Sequence, residues 1–425
     1  MKPRVLLPLF ACVALAVAAG EAETKKLRES LKDTDLAGPW VYNDLEEGFR
    51  QAKASGKPVL AIFRCVKTAD KGLDGTVVRR EDKDLAALMD QFVCVRMVEA
   101  WGMDLATVQF DMNLSWSVLC FNADRTVYAR FGTKSMPRST ETTVAGLKAA
   151  LQGVLDLHKA YPGNRKDLAG KQAPKPAVAL SQQFPALKNY TGSLATTRNC
   201  LHCHQLHEAE AEALRDKGQP SPDRLLWSYP MPDLLGLALS PDERALVKAV
   251  TADSEGAKAG FLEGDRILRM AGQPVLSVAD VQWALQIAPE PGSVKAEVDR
   301  GGKVETLTLE LPSGWRRRGD FGWRASSVGL SVAAAGFWTR PLSPDDRQKL
   351  GVAADRLALQ VFVPKKPDRP QPLLKGDVLV KVDGKDAALS PGEFVALLYR
   401  KKHGDRLALT LLRAGTRTDL DYPLR

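Results

Sequence analysis

Cysteine and histidine are scarce: 6 and 5 in 425 residues. No disulfide-dense scaffold can be built from so few, and any thiol or imidazole chemistry must be concentrated in a few places. No G-x-S-x-G or H-E-x-x-H segment occurs, nor a P-loop or dinucleotide fingerprint, so a protease reading has nothing to stand on. The net charge of +9 is scattered, apart from short runs at Arg316-Arg317-Arg318 and Arg400-Lys401-Lys402. Without an aromatic-interleaved basic stripe, no nucleic-acid partner is expected. What is present is 44% hydrophobic and 26% charged residue content. Such a chain buries real cores, and its length suggests about three domains.

The N-terminus carries a compartment signal. Lys2 and Arg4 precede an apolar run from Leu6 to Ala18, which is too short to span a bilayer comfortably, and Ala16-Val17-Ala18 offers a small-residue cleavage site. This is the pattern of a signal peptide over 1–20, with an uncleaved anchor as the alternative. No other segment is apolar enough to cross a membrane. The expectation is a protein exported to the periplasm or cell envelope, with no integral span after cleavage.

In the first third, "WVYNDLEEGFRQAKASGKPVLAIFR" sets an amphipathic helix, with Leu45, Phe49 and Ala52 at helical spacing, against a strand ending at Cys65. A helix at 82–90, strands at 92–98, 116–121 and 126–130, and a helix at 140–158 follow, which is an α/β sheet domain over 36–160. With "GKPVLAIFRC" at its centre, this unit resembles an exported thioredoxin-like fold. The resemblance places the reactive residue at Cys65, with Thr68 where the second cysteine of C-x-x-C would stand, and Ser117 near the usual proline. Thr68 could donate to a Cys65 thiolate, and Arg64 or Lys67 could stabilise its charge. The alternative is a degenerate fold used for docking. Cys94 and Cys120 read as packing residues, with a bridge between them conceivable.

Residues 161–180 read as a Pro/Gly/Lys linker, and 181–230 surround "NCLHCHQLH". Cys200-x-x-Cys203-His204 matches the attachment pattern of c-type haem: thioethers through Cys200 and Cys203, iron bound by His204. Met231, in "YPMPD", is the expected distal ligand, with His158 and His403 as others. Zinc on Cys200, Cys203 and His207 is the rival cofactor, and neither is the third possibility.

The second half reads differently. "SEGAKAGFLEGDRILRMAGQPV", followed by a helix at 278–287, resembles a PDZ domain of the bacterial envelope type, over 231–313. "LLKGDVLVKVDGKDA" and "SPGEFVALLYR" repeat that pattern more weakly over 320–425. The resemblance implies loops that bind a peptide carboxylate at Gly236, Leu237, Ala238 and Leu239, and at Gly329, Leu330, Ser331 and Val332. The fold class expected is multidomain: an α/β thioredoxin-like domain, a small α-rich haem-binding-like segment and two α+β PDZ-like domains.

This order resembles a family of bacterial exported thioredoxin/PDZ-domain (seleno)proteins, in which Cys65 would occupy the selenocysteine position. Two functions are implied. One is a redox protein in which Cys65 and a haem exchange electrons with a redox partner protein while PDZ modules hold peptide C-termini or envelope proteins. The other is a non-catalytic envelope scaffold.

Overall fold

The computed structural model describes residues 24–65, 71–134, 141–172, 174–189, 201–364 and 372–425. The expected signal peptide, Thr68 and Cys200 lie outside the described residues.

The first unit begins with helix α1 (24–30), followed by β1 (Trp40–Tyr42), α2 (Leu45–Ser55) and β2 (Val59–Arg64). Next come α3 (Lys71–Val78), α4 (Lys83–Met89), β3 (Val93–Met97), β4 (Trp116–Phe121), β5 (Val127–Phe131) and α5 (Val144–Ala160). Asp44 caps α2 by accepting from the Glu47 amide, and Gly56 ends it in the left-handed region at φ 68°. The sheet runs β1-β3-β2-β4-β5, with β1, β3 and β2 parallel and β4 and β5 antiparallel to their neighbours. Central β2 is apolar from Val59 to Phe63 because both its faces are covered. Val59, Ala61 and Phe63 join the core beneath α2, while Leu60 and Ile62 join the core beneath α4 and α5.

The strand at 116–121 has the expected bounds, and the last helix starts at Val144 because Thr143 caps it through the Gly146 amide. The short edge strand β1 was absent from the sequence reading, since its three residues lie just ahead of the helical run. A Cys94–Cys120 bridge is ruled out. Both residues pair with Leu60 from opposite sides, so two strand spacings, about 9–10 Å, separate them. A disulfide tolerates roughly 7 Å between Cα atoms.

Helix α6 (Cys203–Asp216) and the short α7 (Asp223–Leu226) join this unit to the rest. Leu206 and Ala209 of α6 enter the first unit's core, while Ala211 enters the core of the C-terminal unit. Helix α6 is therefore a shared wall.

The second unit contains β6 (Leu237–Leu239), β7 (Val247–Val250), α8 (Glu255–Lys258), β8 (Arg266–Met270), β9 (Gln273–Pro274), α9 (Val278–Ile287), β10 (Gly292–Arg300) and β11 (Lys303–Leu311). The third contains α10 (Ala325–Ala335), β12 (Trp338–Pro341), α11 (Pro344–Lys349), β13 (Leu359–Phe362), β14 (Val378–Val382), α12 (Pro391–Leu398), β15 (Arg406–Arg413) and β16 (Thr416–Pro423).

One hydrogen-bonded brace recurs in both units. Asp265 accepts from the Leu262 amide at 2.9 Å and from two guanidinium nitrogens of Arg300. Asp377 does the same with the Leu374 amide at 2.8 Å and with Arg413. The backbone matches as well: Val247 and Val361 each donate to the carbonyl of the braced aspartate at 2.8 Å. The carboxylates fix a tight turn, and the arginines tie it to a distant strand.

Candidate thiol and peptide-binding sites

Cys65 stands just beyond β2, its amide donating to the Ser115 carbonyl at 2.7 Å. The residue facing it is thus Ser115. Ser117 lies inside β4, with its hydroxyl donating to the Phe131 carbonyl, because the register places Trp116 opposite Arg64. Arg64 is committed elsewhere, to Asp33 at 2.8 Å and Asp74 at 3.5 Å. The same carboxylates clamp the fully buried Arg96, and Tyr42 and Trp116 donate to them. This network packs the C-terminal ends of the parallel strands with balanced charge. The expectation that Arg64 would stabilise a Cys65 thiolate is therefore corrected: its charge already faces two anions.

A partner of Cys65 comes from the C-x-x-C-H segment. Its Sγ lies 3.3 Å from Nδ1 of His202, the second of the two residues between the motif's cysteines. His202 precedes α6, and its amide donates to the Gln205 side chain at the first turn. Cys203 is the first residue of α6 and is partly buried against the first unit's core. Burial, and then the neighbouring Cys65, pushes the Cys203 thiol up to about 12. By contrast, burial alone dominates at Cys94, whose thiol is likewise raised to about 12 and points back at the Met89 carbonyl. The motif was visible in the sequence, but its contact with Cys65 was not.

The haem expectation meets the structure at His204. Its ring stacks on His202, with centroids 5.4 Å apart. Its Nε2, the nitrogen that would bind iron, is 3.7 Å from Oε1 of Glu208. Glu208 in turn lies directly over Gly329 of α10, where even a Cβ would come within 2.1 Å of the carboxylate. The iron-binding nitrogen of the motif therefore faces a carboxylate in this arrangement. Met231, the expected distal ligand, accepts a hydrogen bond from the Thr133 hydroxyl at 3.1 Å and lines a different cleft. His158 is occupied by Tyr128 and the Gly56 carbonyl, and His403 by Asp216 and the Arg425 carbonyl. The zinc set of Cys200, Cys203 and His207 extends beyond the described residues at Cys200, and among the described residues the one His/Cys/Asp/Glu cluster of metal-binding geometry is Glu212, Asp216 and His403.

In the second unit, Gly236 takes the left-handed conformation at φ 82°, and a Cβ there would meet the Ser254 hydroxyl at 2.1 Å. Glycine is needed at this position to turn the chain into β6. Strand β6 pairs with β7 on one side, and its other side faces a cleft of about 140 Å³. Leu237, Ala238 and Leu239 form one wall, Val278 of α9 another, Met231 to Asp233 close the end, and Glu141 reaches in from the first unit. Ala238 is exposed and Leu237 buried, so the strand anchors itself with one residue and presents the next.

The carboxylate loop expected at Gly329, Leu330, Ser331 and Val332 is corrected. These residues lie inside α10, whose amides serve the helix's own ladder, and Leu330 and Ser331 are buried. The third unit's counterpart of Gly236 is Gly336, left-handed at φ 81°, followed by buried Phe337 and strand β12.

Residues 233–311 match the family model of the PDZ domain, so the second unit is a PDZ domain, a fold that binds peptides or protein segments. No curated protein matches the chain. No helix of the described residues is long and apolar enough to cross a membrane.

Proposed function

Starting from a PDZ domain at 233–311, we propose that this protein is an exported peptide-binding protein of the cell envelope that carries a thiol-exchange centre at Cys65. The observation that carries the binding half is the open side of β6 beside α9. A peptide laid there gains backbone hydrogen bonds as an added strand, with side-chain selection by the cleft. The thiol half is supported by the sheet order β1-β3-β2-β4-β5. That order fits a thioredoxin-like unit and sets Cys65 at the end of its central strand. The recurrent Asp–Arg brace supports reading the third unit as a second PDZ-like module. No step runs through haem or zinc.

The test has two arms. Ala238→Trp fills the cleft from an exposed position, and calorimetric titration with a C-terminal peptide library is expected to show at least a tenfold loss of affinity, about 1.4 kcal/mol. Cys65→Ser should abolish reduction of a protein disulfide while leaving peptide binding unchanged. Equal disulfide reduction by both proteins would leave a peptide-binding scaffold.

A further inference from the structure

A thiol at the end of β2 can attack a disulfide, but it needs a second thiol to release the mixed product. The sequence places none within the neighbouring residues, where Thr68 stands in the usual position. The fold brings one from much further along the chain. His202, 137 residues on, touches the Cys65 sulfur, and the next residue, Cys203, opens a helix of 14 residues. A cysteine in the first turn of such a helix sits where the helix dipole favours a thiolate. Both residues are held in place by packing: Leu201 before them and Leu206 after them are buried in the first unit's core.

Resting on the thiol reading above, we infer that Cys203 is the resolving thiol for Cys65, with His202 as the proton carrier between them. The Cys65 sulfur attacks a substrate disulfide, its S–S bond breaks, and the first substrate thiolate leaves. The Cys65 proton reaches that thiolate through Nδ1 of His202. Cys203 then attacks Cys65 Sγ, the mixed disulfide breaks, and the second substrate thiol leaves with the Cys203 proton. The substrate disulfide is reduced to two thiols and the protein dithiol is oxidised to one disulfide. A dithiol reductant returns the protein to its starting state. The order of events follows from burial, which holds the resting Cys203 protonated against the pull of the helix dipole.

The experiment treats reduced protein with one equivalent of 5,5′-dithiobis(2-nitrobenzoate), measuring released thionitrobenzoate by absorbance and retained adduct by intact mass. It is run in a Cys200→Ser background so that one motif thiol remains. Cys94 and Cys120 are buried at 3% and 2% exposure and stay silent in the folded protein. The expected result is two equivalents released and no adduct, falling to one equivalent with the adduct on Cys65 when Cys203→Ser is added. Cys203→Ala serves as a second, apolar replacement, and near-ultraviolet circular dichroism checks that each variant is folded. His202→Ala should slow the first release about tenfold or more without changing its stoichiometry. A single equivalent and a persistent Cys65 adduct in the Cys200→Ser protein would overturn the assignment of Cys203 and leave the thiol reading standing. A Cys65 that takes no adduct in any variant would overturn both.

Discussion

His207 is 7% exposed on α6, and its Nε2 has no hydrogen-bond partner. Burial, followed by the positive charge of Arg324, holds the imidazole down at about 4. An unfolded chain titrates this group near 6.5, so between those values the unfolded state binds a proton that the folded state refuses. Stability therefore falls as pH drops from about 6.5 to 4, by about 3 kcal/mol for this residue. Urea denaturation of wild type and His207→Leu at pH 7 and pH 4.5 should show the variant losing less of its stability at the lower pH. An equal loss in both would mean that His207 does not set the acid limit. At this scale the sequence offered the positions of Cys65 and of the C-x-x-C-H run. It was silent on Cys65 against His202, since a contact across 137 residues depends on how two cores share α6. Arg64 misled for the same reason, because Asp33 and Asp74 reach it from outside its own strand.

Among the elements, α9 is held by burial and by charged partners from the first unit. As a wall of the peptide cleft it would be expected to face solvent, yet Val278 to Leu285 are all buried. Lys171 pairs with Asp280 at 2.7 Å, both fully buried. Asp280 also accepts from the Arg130 amide of β5, and Arg130 stacks over Trp283 at 3.7 Å. Lys171→Met strands the carboxylate in a dry site, which should cost about 3–5 kcal/mol. The denaturation midpoint measures it, and a cost below about 1 kcal/mol would show that the pair is replaceable. Strands and helices of the PDZ domain were readable from the glycine-turn pattern, because local backbone needs dictate it. Helix α10 was not. "VGLSV" reads as a glycine loop, but Ser326, Ser327, Leu330, Ser331 and Ala334 fall on one buried helical face, and Gly329 is there to admit Glu208.

For the whole molecule, these contacts weld three units into one. The first meets the second through α9 and the third through α6 and Arg324, whose guanidinium bonds both oxygens of Asp111 at 2.6 Å. Scanning calorimetry is expected to show a single cooperative transition, with Lys171→Met separating the second unit's melting from the rest. Three resolved transitions in the wild type would contradict the welded arrangement. The docking of the units was not legible in the sequence, because buried pairs such as Lys171 and Asp280 look like ordinary surface charges when read along the chain.

The shared wall α6 also has a consequence in time. Glu212 on that helix bonds Tyr399, 187 residues later. A chain emerging from a ribosome therefore exposes the Glu208 and Glu212 side of α6 long before the third unit exists to cover it. During biogenesis that face of the helix stays open to solvent, and it closes only when the last strands fold.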